Sequence, residues 1–538
     1  MTPEEELAAA TDRILASTAR RKLVIAGPGA GKTWTFKRLL ERAAGSSESR
    51  LVLTFINSLT ADLQRDLSSL ATVRTFHGFC FGALKQSQLL RPGLRDDFIV
   101  LPQLAEIIKD DWRYAGRGTT APTFIDAMRS LDPGADQSFF LDRSDYYNAV
   151  GFDDVVYRVH KAWAASPELV PSKDLLLVDE FQDFNPLEAK VIEQLAEKSP
   201  IVIAGDDDQA LYGQLRRATW DYIRELHGRG DYEVFELPFC MRCTEVIVGA
   251  VSDIIATATG LGKLSGRIAK RYEHYPPQKQ ADSTAYPYID HVHCSVQRRS
   301  VNYFGRYIEQ EVRRIPPEEV TAALEAHNAP ALVIGQSQYL DQIEAHLRGA
   351  GLAVERARSE KTPLTREIGL RLLRGDPDSN LGWRIVLAPQ YAASAGAVIR
   401  RSIEERVPLA ALLEPEFREA VLAEAQALPD VAAQPAQATE PEGLYVKLVT
   451  FEGAKGLSAQ HVYVVGLHEG ELPRNAASIT DREVCLLLVA LTRAKKKCSL
   501  LETGRFATAW KQPSIFLSWI GATRLRLVTV NKGFWGRS

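Results

Sequence analysis

No run of eighteen apolar residues occurs in the 538-residue chain, so no segment reads as a membrane-crossing helix. Cysteine is scarce: six in so long a chain argue against a disulfide framework and for a reducing compartment. An excess of charge is also missing. At a formal net charge of −3, attraction to a polyanion has to come from local patches. Arg216-Arg217, Arg298-Arg299, Arg400-Arg401 and Lys495-Lys496-Lys497 are such patches; each is more often solvated surface, so they permit nucleic acid without showing it. No internal repeat of fixed short period is present. The opening residues Met1-Thr2-Pro3-Glu4-Glu5-Glu6 are acidic where a secretory signal is basic and then apolar, so a cytoplasmic location with no membrane partner is expected.

What is present is a globular composition, 45% hydrophobic, sized for about three or four domains. The apolar run Leu23-Val24-Ile25 leads into the glycine-rich loop Ala26-Gly27-Pro28-Gly29-Ala30-Gly31-Lys32-Thr33. Such a loop cradles a polyphosphate with backbone N–H groups at the positive end of the following helix. Gly29 and Gly31 supply conformational freedom, Lys32 reaches the β- and γ-phosphates, and the Thr33 hydroxyl holds Mg²⁺. A second apolar run, Leu175 to Val178, delivers Asp179-Glu180-Phe181-Gln182-Asp183. Asp179 is expected to complete the Mg²⁺ shell, and Glu180 to orient and deprotonate the attacking water. The two motifs together predict hydrolysis of a nucleoside triphosphate.

Short β-branched runs alternate with helical stretches: Lys22 to Ala26, Leu51 to Phe55, Leu175 to Asp179, Ile201 to Gly205, Ala331 to Gly335, Tyr445 to Phe451 and His461 to Leu467. That pattern predicts parallel α/β sheets. Asn185 as cap and Pro186 at the first position predict a helix over Leu187 to Lys198. The stretch from Gly82 to Pro171 turns helical, as an insertion would. A second such stretch runs from Thr362 to Glu442 and ends in the Ala/Pro/Gln-rich linker Ala427 to Gln437. Cys240-Met241-Arg242-Cys243 and His291-Val292-His293-Cys294 are compatible with a zinc site, while the alternation from Ile289 to Val296 reads equally as a half-buried strand.

In order along the chain, these and further motifs resemble the UvrD/Rep-like superfamily 1 helicases. Leu53-Thr54-Phe55-Ile56-Asn57 is similar to the family's Thr-Phe-Thr-Asn block, Val73-Arg74-Thr75-Phe76-His77-Gly78-Phe79 to its next DNA-facing block, and Asp179 to Asp183 to its Asp-Glu-x-Gln-Asp. Gly205-Asp206-Asp207-Asp208-Gln209-Ala210-Leu211-Tyr212-Gly213 resembles its coupling motif. Thr450-Phe451-Glu452-Gly453-Ala454-Lys455-Gly456-Leu457 and Val489-Ala490-Leu491-Thr492-Arg493-Ala494 resemble the blocks that close its second motor domain.

The resemblance implies two RecA-like P-loop NTPase domains with ATP between them, each with a mainly helical insertion. The expected division is 1–81 with 172–235 for motor domain 1A, 82–171 for insertion 1B, 236–361 with 443–538 for motor domain 2A, and 362–442 for a reduced insertion 2B plus linker. It further implies Arg242 and Arg493 as cations supplied on closure, and Gln182 and Gln209 as sensors of the γ-phosphate. Gly456 joins the loop as a nucleotide-side residue, and Phe55, Asn57, Thr75, Phe76, His77, Tyr212 and Thr450 bind single-stranded DNA. Ordinary core packing is the competing reading for Phe76 and Tyr212; Phe55 and His77 stand at strand exits.

The chain departs from the family where the base and ribose are recognised. Thr2-Pro3-Glu4-Glu5-Glu6-Leu7 lacks the family's glutamine, Trp34 replaces an arginine, Met241 a tyrosine and Ser458 a glutamate. A looser base pocket is expected, with Trp34 or Met241 touching the ring. On the DNA side Glu452 replaces a histidine, and a carboxylate facing a phosphate backbone is unfavourable. The expected function is therefore an ATP-driven 3′→5′ single-stranded DNA translocase or helicase. The alternative is a nucleic-acid-gated ATPase serving a partner nuclease or repair protein, since no acidic nuclease constellation follows Arg493. A nucleotide-sensing module without hydrolysis is disfavoured by the joint presence of Lys32, Thr33, Asp179, Glu180 and Arg493.

Overall fold

The computed structural model describes residues 1–55, 57–117, 122–132, 136–211, 220–295, 303–356, 363–387, 392–429, 443–507 and 509–536. Six strands form a first sheet: β1 (Arg21–Ala26), β2 (Arg50–Thr54), β3 (Thr72–Thr75), β4 (Leu175–Val178), β5 (Ile201–Gly205) and β6 (Glu233–Leu237). Their order is β3-β2-β4-β5-β1-β6, with every neighbouring pair parallel. Alternation along the strands sorts two cores. Leu23, Ile25, Leu51 and Leu53 face one, while Val24, Val52, Leu177 and Val202 face the other, beneath Phe36, Leu39 and Leu40 of the helix Lys32–Arg42. Burial on both faces is why these strands read as unbroken apolar runs. Because β5 lies between β1 and β4, the loop after β1 and the carboxylates after β4 stand two strand spacings apart, about 10 Å. That gap suits a nucleotide.

Seven strands form a second sheet: β7 (Ile289–Cys294), β8 (Ala329–Ile334), β9 (Ala353–Arg356), β10 (Tyr445–Val449), β11 (Ala459–Val465), β12 (Ala494–Thr503) and β13 (Leu525–Val530). They run in the order β9-β10-β8-β11-β12-β7-β13, again all parallel. The architecture is RecA-like α/β. The runs expected to start at Ala331, Tyr445 and His461 are strands with ends shifted by up to two residues. The helix Pro186–Lys198 opens as its sequence predicts: Asn185 Oδ1 accepts the Glu188 N–H at 3.0 Å, and Glu188 returns a carboxylate to the Asn185 N–H at 2.9 Å.

Both interruptions are helical. Leu104–Tyr114, Phe124–Ser130, Asp136–Tyr147 and Phe152–Ala165 lie between β3 and β4, and Arg366–Gly375, Asn380–Leu387, Ala392–Glu405 and Pro415–Gln426 between β9 and β10. They are not separate bodies. Leu370, Leu373, Trp383 and Val386 of the second stretch share one apolar core with Ile108, Phe140 and Val156 of the first and with a face of the first sheet. At the junction the fully buried Asp111 accepts from Arg143 Nε at 2.9 Å, the Tyr147 hydroxyl at 2.6 Å, and Arg384 Nε of the other stretch at 2.8 Å. Asp111 is thus solvated by protein donors from both sides, which makes the junction specific.

Candidate nucleotide and nucleic-acid site

The loop after β1 is shaped by its glycines. Gly29 (φ +73°) and Gly31 (φ +86°) occupy the left-handed region, and Ala30 N–H donates to Gly27 O at 3.2 Å. Gly31 caps the helix Lys32–Arg42 without a side-chain hydrogen bond, leaving the first-turn N–H groups directed at the loop's mouth. The segment after β6 closes over this loop: Met241 N–H donates to Gly29 O at 2.9 Å, and a Cβ on Gly29 would meet Arg242 Cβ at 2.4 Å. Ala26, Gly27, Pro28, Gly29, Ala30, Gly31, Lys32, Thr33, Trp34 and Arg242 are therefore brought together.

Facing the loop, β4 ends in a sharp turn, with Glu180 itself at φ +53°, a conformation that costs a non-glycine residue on the order of 1–3 kcal/mol. Lys32 Nζ lies 2.6 Å from Glu180 Oε1 and 3.6 Å from Asp179 Oδ1. Burial alone would lower the lysine's pKa, but the two carboxylates hold it above its ordinary value. Burial likewise opposes the charge on Glu180, yet Lys32, Lys455 and the Gln182 amide hold that carboxyl well below its usual range. Asp179, whose burial dominates, is raised. The Thr33 hydroxyl and the Asp179 carboxylate are hard oxygen donors of the kind Mg²⁺ takes.

From Glu180 a hydrogen-bonded path crosses to the second half of the chain. Gln182 Nε2 donates to Glu180 Oε2 at 2.5 Å, and Gln182 Oε1 accepts the Asp206 N–H at 3.0 Å. Asp206 Oδ2 accepts from Gln209 Nε2 at 2.9 Å, and Gln209 Oε1 accepts from Arg493 Nη2 at 3.2 Å. Arg493 is fully enclosed, with its pKa pulled down to about 10 by burial and by neighbouring Arg242. Lys455, to which sequence reasoning gave no role, crosses the same boundary. From the turn after β10 its Nζ lies 2.6 Å from Asp183 Oδ2 and 3.8 Å from Glu180 Oε2, and donates to Gln209 O at 2.5 Å. Burial pushes the Asp183 carboxyl up to about 6 even with Lys455 beside it. Gly456 follows directly, at φ +81°.

The DNA-side residues divide. Phe76 is 0% exposed and sits edge-on against Phe184 at 5.2 Å, so the expectation that it stacks on a base is corrected: it is a core ring. Phe55, 9% exposed, is also largely covered, by Phe184. His77 is partly open, with Nε2 3.3 Å from Glu188 Oε1. The Thr75 hydroxyl accepts the Gly78 N–H as a helix cap, and Thr450 accepts from Gly453 in the turn after β10. Tyr212 and the side chain of Asn57 lie outside the described residues, as do Arg216-Arg217 and Arg298-Arg299.

Exposed aromatics outside the motifs include Phe152 and Trp510. Phe152, 50% exposed at the start of its helix, stands 6.0 Å from the His77 ring, and Trp510, 72% exposed, has Arg505 over its ring at 5.6 Å. Neither belongs to a recognisable motif; their signal is exposure.

The remaining clusters are internally satisfied. Arg401 bonds Glu405, Arg400 bonds Tyr114 O, Lys496 pairs with Asp282 and Glu319, and Lys497 with Asp290 and Glu311. The zinc reading does not hold among the described residues: His291 and His293 turn to Glu502, while Cys240 accepts from the Cys243 N–H and the Tyr272 hydroxyl. The one metal-like carboxylate group found there, Asp206-Asp207-Asp208, is neutralised by Lys270, with Arg267 on Asp208 and Arg224 on Asp207. No helix among the described residues is long and apolar enough to cross a membrane.

A family model described as an AAA domain matches residues 10–214, spanning the loop, the carboxylates and the coupling motif. ATP-dependent DNA helicase UvrD2 of Mycobacterium tuberculosis (strain ATCC 25618 / H37Rv) is 26% identical over 404 residues, 70% of this chain and 55% of that protein. DNA helicase II of Escherichia coli (strain K12) is 27% identical over 287 residues, 45% of this chain and 39% of that protein. These matches make the chain similar to UvrD-type helicases, with the family model covering most of its first sheet. The chain aligns with little more than half the length of the first of these relatives and with less of the second.

The residues that depart from the family pattern have internal partners. Ser458 donates to Asn328 Oδ1 at 2.7 Å. The Glu452 carboxylate, whose block is expected to contact DNA less or to couple differently, accepts from Arg482 Nη2 at 2.6 Å, and Arg482 Nε reaches Leu211 O. The carboxylate thus has a cation of its own. Tyr272 lies against Gly27, its hydroxyl donating to Pro28 O at 3.2 Å.

Proposed function

We propose that the chain is an ATP-dependent motor on single-stranded DNA, a 3′→5′ translocase or helicase of DNA repair, replication restart or defence against foreign DNA. In this reading the first sheet, with residues 1–81 and 172–235, is one motor unit and the second sheet is the other. The observation that carries it is the path from Glu180 through Gln182, Asp206 and Gln209 to Arg493, which links the general base in one unit to a cation in the other. Lys32 and the loop N–H groups bind the phosphates. Glu180, released from Lys32 when phosphate takes that cation, orients and deprotonates the water. Arg493 and Arg242 stabilise the charge that develops on the γ-phosphate. Mg²⁺ would be held by Thr33 and Asp179, where it would neutralise phosphate charge. Loss of the γ-phosphate is sensed by Gln182 and Gln209, and the units separate. Phe152, His77 and Trp510 offer faces on which bases of any sequence stack. The 3′→5′ direction rests on the family resemblance.

A second reading, a DNA-gated ATPase that signals to a partner nuclease or repair protein without unwinding, is favoured by the junction at Asp111, which joins the two insertions into one layer. Phosphate release with and without single-stranded DNA, followed by unwinding of a 3′-tailed duplex, separates the readings. DNA-stimulated turnover with unwinding supports the first, and turnover without unwinding the second. Turnover indifferent to DNA refutes both.

A further inference from the structure

We propose that Cys240 and Cys243 are an oxidation site: hydrogen peroxide joins them in a disulfide inside the turn that covers the phosphate loop, and a dithiol restores the pair. The chemistry at the two sulfurs stands on its own. Only its effect on turnover rests on the reading of Arg242 and the loop as parts of the nucleotide site.

All six cysteines are buried and free, yet one pair differs from the rest. Burial pushes up the thiols of Cys80, Cys294, Cys485 and Cys498, which disfavours the reactive thiolate. Cys240 and Cys243 are the two ends of one turn, with their sulfurs in hydrogen-bonding contact. Cys240 Sγ also accepts the Cys243 N–H at 3.4 Å, and the Tyr272 hydroxyl stands 3.1 Å away. Burial opposes a thiolate at Cys240, but the Cys243 thiol, the Tyr272 hydroxyl and the Cys243 and Arg242 N–H groups outweigh it and hold this thiol below its ordinary pKa. Cys243 keeps its proton, raised first by the Cys240 sulfur and then by burial. The pair therefore divides into a nucleophile and a resolving thiol.

The Cys240 thiolate attacks one oxygen of hydrogen peroxide, the O–O bond breaks, hydroxide leaves, and a sulfenic acid forms. The Cys243 sulfur then attacks the Cys240 sulfur, and its proton goes to the departing oxygen, which leaves as water. Two electrons pass from the sulfurs to the peroxide. A dithiol returns them through a mixed disulfide and is itself oxidised to a disulfide. Burial slows both directions to the rate at which the turn opens locally.

Closing this bond acts on the phosphate loop because the turn has no slack. Met241 N–H donates to Gly29 O at 2.9 Å, and the Arg242 Cβ fills the space that a side chain on Gly29 would need. Arg242 Nη1 reaches Thr492 O at 3.4 Å, and Cys243 Sγ lies 3.7 Å from the same carbonyl. Drawing Cys240 and Cys243 together shifts the residues between them, and a displacement of about 1 Å at a reacting group costs on the order of 10²-fold in rate.

The test exposes the full, reduced chain to hydrogen peroxide, counts thiols by alkylation after denaturation, and maps the product by mass spectrometry. Two of the six thiols are expected to disappear, the chain to become lighter by two hydrogens, and the linked peptides to be those of Cys240 and Cys243. Dithiothreitol restores all six. Cys243→Ala is expected to stop at a Cys240 sulfenic acid, trapped by dimedone, and Cys240→Ala to keep all its remaining thiols. Phosphate release by oxidised wild type should fall at least about tenfold and return with dithiothreitol, while release by Cys240→Ala is indifferent to peroxide. Survival of all six thiols under an exposure that oxidises the urea-unfolded chain overturns the site. So does a disulfide at another pair, or the same thiol loss in Cys240→Ala. A Cys240–Cys243 bond that leaves turnover unchanged refutes the effect on Arg242. If the reduced chain releases no phosphate, the nucleotide reading falls, while the mapped peptides still decide the oxidation site.

Discussion

Replacing Lys455 by methionine removes a charge from the boundary between the two motor units while nearly keeping its volume. At an effective dielectric of about 20, unit charges at the 2.6 Å separating Lys455 from Asp183 attract by about 6 kcal/mol, most of which offsets their desolvation. Breaking a buried pair by removing one partner costs about 3–5 kcal/mol. Asp183 softens the loss: its carboxyl already sits at about 6 and, without Lys455, takes up a proton at neutral pH. The Gln209 carbonyl also loses its donor, for about 1 kcal/mol more. We expect Lys455→Met to cost about 2–4 kcal/mol in urea unfolding monitored by tryptophan fluorescence. Because Lys455 also approaches Glu180, DNA-stimulated phosphate release is expected to fall at least about tenfold with nucleotide affinity changed little. A variant as stable as wild type, within about 0.5 kcal/mol, and equally stimulated by DNA would refute a coupling role for the charge.

Glu180→Gln is expected to bind nucleotide and to lose turnover by about 10²-fold or more, checked by binding and phosphate release on one preparation. Phe152→Ala and Trp510→Ala should each weaken single-stranded DNA binding by about 1–3 kcal/mol in anisotropy titrations. Phe76→Ala should instead lower fold stability by about 3–5 kcal/mol, and a DNA-binding defect without destabilisation would return Phe76 to the interface. Arg384→Met, which leaves Asp111 with donors from only one insertion, is expected to cost about 3 kcal/mol, and a neutral outcome would deny that the junction is specific. For Asp183, a folded-state carboxyl near 6 against an unfolded value of about 3.9 means that the folded chain binds the extra proton between them. Wild type should therefore lose stability relative to Asp183→Asn as pH rises from about 4 to about 6, and parallel profiles would exclude the shift.

The nucleotide half of the site was legible because its chemistry is local. The Gly29 and Gly31 turn, the Lys32 to Thr33 helix start and the Asp179-Glu180 strand exit are each fixed by a few consecutive residues, and parallel strands then bring the ends of β1 and β4 to one edge. The proposed DNA side was less legible because exposure, a tertiary property, separates its candidate residues. Phe76 sits in a motif but points into the core, whereas Phe152 and Trp510 sit in none and stay open. Lys455 lay inside a recognised block yet had no visible role, because its partners Asp183 and Gln209 are some 250 residues away in sequence and adjacent only once the sheets meet. The joint core of the two insertions was hidden for the same reason: nothing in the amphipathic helices 366–375 or 380–387 specifies that Arg384 will seek Asp111.

The cations of the candidate site are each paired within the protein. Lys32 is spent on Glu180, Arg493 on Gln209, and Lys455 on Asp183, while Asp206, Asp207 and Asp208 are gripped by Lys270 from the segment leading toward the second sheet. In the proposed reading, a triphosphate entering the loop competes with Glu180 for Lys32 and so frees the carboxylate to act as base. Paired with Lys32, the same carboxylate is held well below its usual pKa. The coupling motif, held on one side by Gln182 and on the other by Arg493 and Lys455, cannot shift without disturbing the second unit, because buried hydrogen-bonded charges have no water to fall back on.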